Sequence, residues 1–362
     1  MKERLLYIDN IKGFALLIIC LSHLMQAVPP LHGRTTIELL MNLTVPLFFF
    51  ISGILYNPTK FTTIKGYINK KTKSLLVPYL FLSLLFIILC PYIYVPDYLV
   101  NQLNYPRYGF LNMYFPTHVV ALIEWLVGDI ICVLIGLGSR SSMPLWFVFI
   151  LYLVSITFSV IYKTMQKWVL LIGFFSMLMA LFLPNNTILL YLHIKPFFMA
   201  FAFYTLGFFY NKHIHHLSYK IKTLGLIISC CLYFAIDLGN ANGFVNGNFG
   251  NSPLLFVLNV CSGIYILLFF FEILERVKFC NLNYLMLPFQ YISRNGLPII
   301  AVHFWAMLVY NVFFRNLFPA NMQFLMMCLF VGIIVIVSVP LLNRYISIMQ
   351  VKTSKRFSLN AK

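Results

Sequence analysis

A lysine and two histidines are the residues of this 362-residue chain best placed to do chemistry. Lys12 and His23 lie in the first apolar run, 11 residues apart, with Asp9 and Gln26 as its other polar groups. At 100° per residue, 11 residues make three turns plus about 20°, so both side chains share one helix face, about 16 Å apart along the axis. With Lys12 at the inner membrane surface, His23 reaches mid-membrane or just beyond. A polar group at that depth is costly unless it is paired or faces water. An interhelical hydrogen bond would satisfy it. So would catalysis, because an imidazole with an ordinary pKa of about 6.5 can accept a proton at neutral pH. His303 follows Arg294 by nine residues. That puts it about 13 Å deep, close to the level of His23. Two histidines on different helices could frame one cavity or serve a proton relay.

Other segments carry weaker signals. In VPLFFFISGILY, Val45–Tyr56, Pro46 removes a helix hydrogen bond and invites a kink, while Ser52 and Gly53 permit close helix approach. The basic run KGYINKKTKSLLVPYL, Lys65–Leu80, anchors topology and would also suit an anionic ligand bearing phosphates. PLWF, Pro144–Phe147, opens a span at the outer surface, where Trp146 would be an interfacial anchor. His213, His215 and His216 have an H-x-H-H spacing that matches a closed metal site poorly and lack Cys or carboxylate neighbours, so no metal is expected. Glu124 and Asp129 are separated by about 140° around a helix and do not form an acid/base dyad.

The elements that must hold these residues are membrane helices. Apolar residues make up 61% of the chain and charged residues only 10%, against roughly 25% in ordinary soluble domains. Nine acidic residues cannot furnish a soluble surface, and a chain this apolar is not disordered. Apolar stretches of spanning length fall at 11–28, 37–56, 75–95, 144–162, 168–184, 190–210, 221–238, 253–274, 290–314 and 322–345. The sequence thus predicts an all-α, polytopic integral membrane bundle of about ten transmembrane helices with both termini cytoplasmic. That topology places 21 basic residues inside and 5 outside. Were 119–137 also to cross, the positive-inside bias would be lost. This segment is therefore read as a helix lying in the outer interface or dipping back out. The net charge of +17 is orientation charge that can also lie against anionic lipid, and nucleic acid is not an expected partner. The eight Cys show no metal spacing and read as small buried hydrophobes. The first run lacks a signal-peptide cleavage site. Residues 239–252 read as a flexible Gly/Asn connector. No soluble domain and no internal repeat is expected.

Several of these segments together resemble the membrane-bound acyltransferase family 3, of the carbohydrate O-acetyltransferase type. RLLYIDNIKGFALLIICLSH, Arg4–His23, resembles the family's first helix, in which a basic residue is followed after ten residues by His; here these are Lys12 and His23. VPLFFFISGILY is similar to its second helix, and KKTKSLLVPYL, Lys70–Leu80, to its basic loop before the third helix. PLWF and SRNGLPIIAVH, Ser293–His303, resemble its Leu-Trp-Phe element and its penultimate-helix motif ending in His. The chain departs from the pattern where the basic loop often carries two arginines, with Lys71 and Ser74 at those positions and Lys73 beside the second. It departs again at Gly296, where Ser is common.

The resemblance implies a single transmembrane acyltransferase domain over 1–350 and a basic cytoplasmic tail over 351–362, in the inner (cytoplasmic) membrane. It implies an O-acyltransferase that moves an acyl group, usually acetyl, from cytoplasmic acetyl-CoA or another acyl-CoA to a hydroxyl of a cell-envelope saccharide or lipid-linked glycan. Catalysis would fall to His23 as general base, with Lys12 contacting the donor and Asp9 partnering Lys12 at i, i+3. An acyl-histidine relay is the alternative. Lys70, Lys71, Lys73 and Ser52 would meet acyl-CoA, and Trp146 and His303 the substrate. A transporter or flippase using the intramembrane His and Lys, and a silent membrane scaffold, are rival readings.

Overall fold

The structure is a computed structural model that describes residues 6–28, 34–61, 63–89, 118–137, 140–183, 193–236, 244, 247, 249, 252–276 and 282–359. Most of the 239–252 loop, Arg4, Cys90 and the end of the tail lie outside the described residues, as do the side chains of Glu124 and of 349–359. Among the described residues there is no strand, and nearly every element is a helix. Among the described residues six helices are long and apolar enough to cross a membrane: Leu6–Ala27, Ile64–Leu89, Met143–Thr164, Leu254–Arg276, Gly296–Phe313 and Ala320–Ile348. The chain is a multi-pass α-helical membrane protein. It divides into two compact units, one of Met1–Ser22, Gly33–Thr72 and Ile150–Gly296, the other of His23–His32, Lys73–Phe149 and Leu297–Lys362.

In the first unit, α2 (Arg34–Ile54) packs along α8 (Ile194–Phe209). Apolar side chains already sit in an apolar solvent here, so close packing rather than escape from water holds helices together, and small residues decide how near they come. Gly53 faces the carbonyl of Tyr204, and Gly207 faces the carbonyl of Phe50; a methyl group at either glycine would overlap the other helix's backbone. Below this contact lies an aromatic cluster of Tyr56, Phe158, Tyr162, Tyr204 and Phe208, with the Phe158 and Tyr204 rings 4.8 Å apart. Its hydroxyls are paired: Tyr56 donates to Ser159 at 3.4 Å, and Tyr67 and Tyr204 lie 3.4 Å apart. The same unit contains α7 (Val169–Phe182) against α8, and α9 (Tyr219–Ala235) against α10 (Pro253–Arg276).

In the second unit, α4 (Val77–Leu89) carries α5 (His118–Leu134) at its side, joined by a hydrogen bond from the Tyr79 hydroxyl to the Val133 carbonyl at 2.8 Å. Segment 119–137 is therefore a helix packed on protein. Asp129 is enclosed at 1% exposure, while Leu126, Val127, Ile131 and Leu134 are exposed. The helix ends in a left-handed Gly136 (φ 84), with Gly136 N–H bonded to Val133 and Leu137 N–H to Cys132, the paired bonds of a glycine C-cap. A second core joins Leu24 and Val28 at the end of α1 (Leu6–Ala27) to Phe304, Met307 and Tyr310 of α12 (Gly296–Phe313) and to Met327 and Val331 of α13 (Ala320–Leu359).

The run read as a ninth span over 290–314 begins differently from the expectation. An amphipathic helix, α11 (Leu282–Arg294), precedes α12 and is divided from it at Asn295, whose N–H bonds back to Tyr291. Its Tyr284, Leu287 and Tyr291 are exposed. That i, i+3, i+7 apolar face suits a helix lying at a membrane surface rather than crossing it.

Candidate active site

Helix α1 runs unbroken from Leu6 to Ala27, so Lys12 and His23 keep the helical spacing of three turns. Its first turn is tied down by charge. The Tyr7 N–H, which has no intrahelical acceptor, donates to the Glu275 carboxylate at 3.1 Å, a placement that the helix dipole favours. Asp9, 8% exposed, accepts a hydrogen bond from the Ser293 hydroxyl at 3.4 Å. Gly13 lies against the carbonyl of Phe289 on α11, where no side chain would fit.

Several basic residues of the first unit gather on and beside one short helix. Helix α3 (Ile64–Lys71) begins at Thr63, whose hydroxyl caps the Gly66 N–H at 3.1 Å. It presents Lys70 over the Phe61 ring at 5.1 Å and Lys71 over the Tyr67 ring at 5.6 Å. The charges of Lys12 and Lys70 bear on Lys71, and Lys60 stands beside Lys70. Between α3 and α4 the helix widens to i→i+5 bonding over Thr72–Leu76. Pro78 supplies the cause: it has no N–H to give and its ring crowds the carbonyl four residues back, Ser74. Such bulges recur at functional sites. The Thr72 hydroxyl lies 3.0 Å from the Tyr152 hydroxyl. Ser52 is partly buried on α2, next to the tightly packed Gly53.

The two histidines meet in the second unit. The His23 and His303 rings lie 5.6 Å apart, and the Phe304 ring stands nearly perpendicular to His23 with centroids 5.7 Å apart. His303 is 1% exposed, whereas His23 is partly exposed. His303 Nδ1 is 3.0 Å from the Ile299 carbonyl, and its Nε2 has no hydrogen-bond partner among the described residues. Lys73 belongs to this unit and is partly buried. Trp146 opens α6 (Trp146–Thr164) after a 3-10 turn over Arg140–Leu145. The sequence reading made it an interfacial anchor. Instead Leu145, Trp146 and Phe147 are buried, at 0%, 4% and 6% exposure, and the 3-10 turn packs on α4.

Sequence reasoning counted Lys222 and Arg276 only as orienting charges. Lys222, 3% exposed, is paired with Glu272 on α10 at 3.0 and 3.2 Å, and Arg276 joins the same carboxylate at 2.9 Å. Glu272 was the available signal, since a carboxylate inside an apolar run must find a cation. Among the described residues no group of His, Cys, Asp and Glu could hold a metal ion.

The helices and their polar residues define a multi-pass membrane protein with a histidine pair on two of its helices and a run of lysines on α3. Residues 5–343 match the sequence profile of the family described as Acyltransferase domain, and no curated protein and no solved structure gave a match. The match covers nearly the whole chain, and the chain belongs to acyltransferase family 3; it is a membrane acyltransferase.

Proposed function

We propose that the protein transfers an acyl group, acetyl in the simplest case, from cytoplasmic acyl-CoA to a hydroxyl of a cell-envelope or exported saccharide. It would act in the cytoplasmic membrane as one transmembrane domain of about ten spans with both termini inside. The observation that carries the reading is the His23–His303 ring pair, 5.6 Å apart, in a chain whose residues 5–343 match an acyltransferase family. The lysines of α3 suit the phosphates of coenzyme A, and the partly exposed His23 suits the reacting end.

In this scheme Lys12, Lys70, Lys71 and Lys73 receive the donor's phosphates, and Asp9 holds the start of α1. Ser52 meets the donor, and Trp146 lines the acceptor's site. His23 takes the proton of the acceptor hydroxyl as its oxygen attacks the thioester carbonyl. The carbon–oxygen bond forms, the carbon–sulfur bond breaks, and the proton passes to the departing thiol. Support for a base here is chemical: a sugar hydroxyl is a poor nucleophile at neutral pH without one.

The test uses purified protein in nanodiscs, acyl-CoA labelled in its acyl group, and envelope saccharide fractions. Label should move to saccharide, and His23→Gln should slow the transfer at least about 100-fold. Movement of saccharide across the bilayer without any dependence on acyl-CoA would favour the transporter reading and overturn this one.

A further inference from the structure

We infer that His303 is a positioning residue: its Nε2 accepts an N–H from His23 and so fixes the His23 tautomer whose other nitrogen faces the reactants. The inference rests on the acyl-transfer reading above, in which His23 is the base. The Ile299 carbonyl can only accept a hydrogen bond, so the Nδ1 of His303, 3.0 Å away, must carry the hydrogen. A neutral imidazole protonated at Nδ1 has a bare lone pair at Nε2. That lone pair is fully buried and has no partner among the described residues. A buried acceptor left alone is costly, and native structures supply a partner.

The polar side chain in ring contact with His303 is His23. An N–H···N bond of about 3 Å between two imidazoles sets their centroids about 5.3 Å apart. The observed 5.6 Å, with the planes inclined at 36°, is within a small side-chain rotation of that geometry. The Phe304 ring, at 83° to the His23 ring and 5.7 Å from it, limits how far the ring can swing otherwise. Exposure assigns the roles: His23 retains accessible surface, and His303, at 1%, has essentially none. His303 therefore acts through His23.

The proton count closes. Neutral His23 gives its single N–H to His303 Nε2 and keeps a lone pair on its other nitrogen. The acceptor hydroxyl's proton moves to that nitrogen as the ester bond forms. His23 is then an imidazolium, with one N–H held by His303. The newly gained proton leaves with the thiol once the carbon–sulfur bond has broken, and His23 returns to its starting tautomer. Without His303, His23 is divided between two tautomers, one of which points a hydrogen at the hydroxyl it should deprotonate.

The test compares wild type with His303→Leu, His303→Gln and His23→Gln, in nanodiscs, by steady-state kinetics and by 15N NMR of histidine-labelled protein. The His23 signal is identified by its absence in His23→Gln. Wild type should show His23 in one tautomer and His303 protonated at Nδ1. In His303→Leu, His23 should become a mixture, and kcat should fall about 10- to 100-fold, the usual cost of losing an orienting partner, with the KM for acyl-CoA unchanged. His303→Gln offers a carbonyl in place of Nε2 and should recover most of the activity and the single tautomer. A His23 tautomer indifferent to His303→Leu, or equal kcat losses with Leu and Gln, would overturn the inference. The spectra need no donor, so absence of acyl transfer in the wild type counts against the proposed reaction alone, and the tautomer comparison still decides the role of His303.

Discussion

Replacing Glu272 by Gln should strip the countercharge from two cations at once, and the two losses differ greatly in size. Arg276 is 59% exposed and pairs with Glu272 at i, i+4, an arrangement worth about 0.3–0.5 kcal/mol. Lys222 is 3% exposed, and its ammonium lies 3.0 and 3.2 Å from the two carboxylate oxygens. Removing one member of such a buried pair costs about 3–5 kcal/mol, because the other charge stays behind without compensation. Lys222 therefore sets the total, a shift of roughly two to four powers of ten in the folded-to-unfolded ratio at about 1.4 kcal/mol per decade. Apolar replacement of both partners is often neutral, so Lys222→Met combined with Glu272→Leu should return to within about 1 kcal/mol of wild type. Denaturant unfolding in detergent, run on both single variants and the double, reads the cycle. Donor binding should follow the same pattern, because Glu275, one turn along from Glu272, holds the Tyr7 N–H at the start of α1. A Glu272→Gln loss below about 1 kcal/mol, or a double variant as unstable as the singles, would refute the reasoning, since the pair would then be hydrated rather than buried.

Neutralising Lys70, Lys71 and Lys73 together should raise the KM for acyl-CoA and flatten its salt dependence; an unchanged KM in normally inserted protein would reduce the three to topology anchors. His23→Gln should lower kcat at least about 100-fold, the lower end of general-base catalysis, while acyl-CoA still binds, and near wild-type turnover would return His23 to an interhelical hydrogen bond. Burial, followed by the Lys222 charge, holds the His215 imidazole below its usual range. The unfolded chain then takes up protons that the folded one refuses, so stability falls as pH drops below the ordinary value of about 6.5; His215→Gln should flatten that acid limb in a plot of melting temperature against pH. Single cysteines at positions 246 and 215 should label from opposite faces of the membrane, and labelling from one face would refute the ten-span topology.

Much of the fold was legible because an apolar run of spanning length has few alternatives to a helix. The first run forms α1, and the spacing of Lys12 and His23 on it follows from helix geometry alone. The pairing of His23 with His303 rested on depth counted from Lys12 and Arg294, and α12 carries His303 to the expected neighbour. What escaped were features that hydropathy does not register. The break at Asn295 joins an amphipathic helix to an apolar one, and averaging across it yields one long run. The wide turn at Thr72–Leu76 arises from Pro78 acting on a carbonyl four residues back, which reads locally as an unbroken helix. Trp146 looked like an anchor because Trp favours interfaces, but the α4 surface that covers its neighbourhood comes from a distant part of the chain. Glu272 lay in plain view as a carboxylate in an apolar run, and asking for its cation would have led to Lys222.

The mutual contact of Gly53 and Gly207 has a consequence for how this chain can change over generations. Each glycine meets not a side chain but a main-chain carbonyl, that of Tyr204 in one case and of Phe50 in the other. A crowded side chain can be trimmed by a second substitution elsewhere; a peptide carbonyl has no smaller version. Neither position can therefore be altered first and rescued later, whichever order a lineage tries. The rings of Phe50 and Tyr204 carry no such restriction from this contact, because only their backbones take part in it. Among descendants of one ancestor, these two sites should stay glycine.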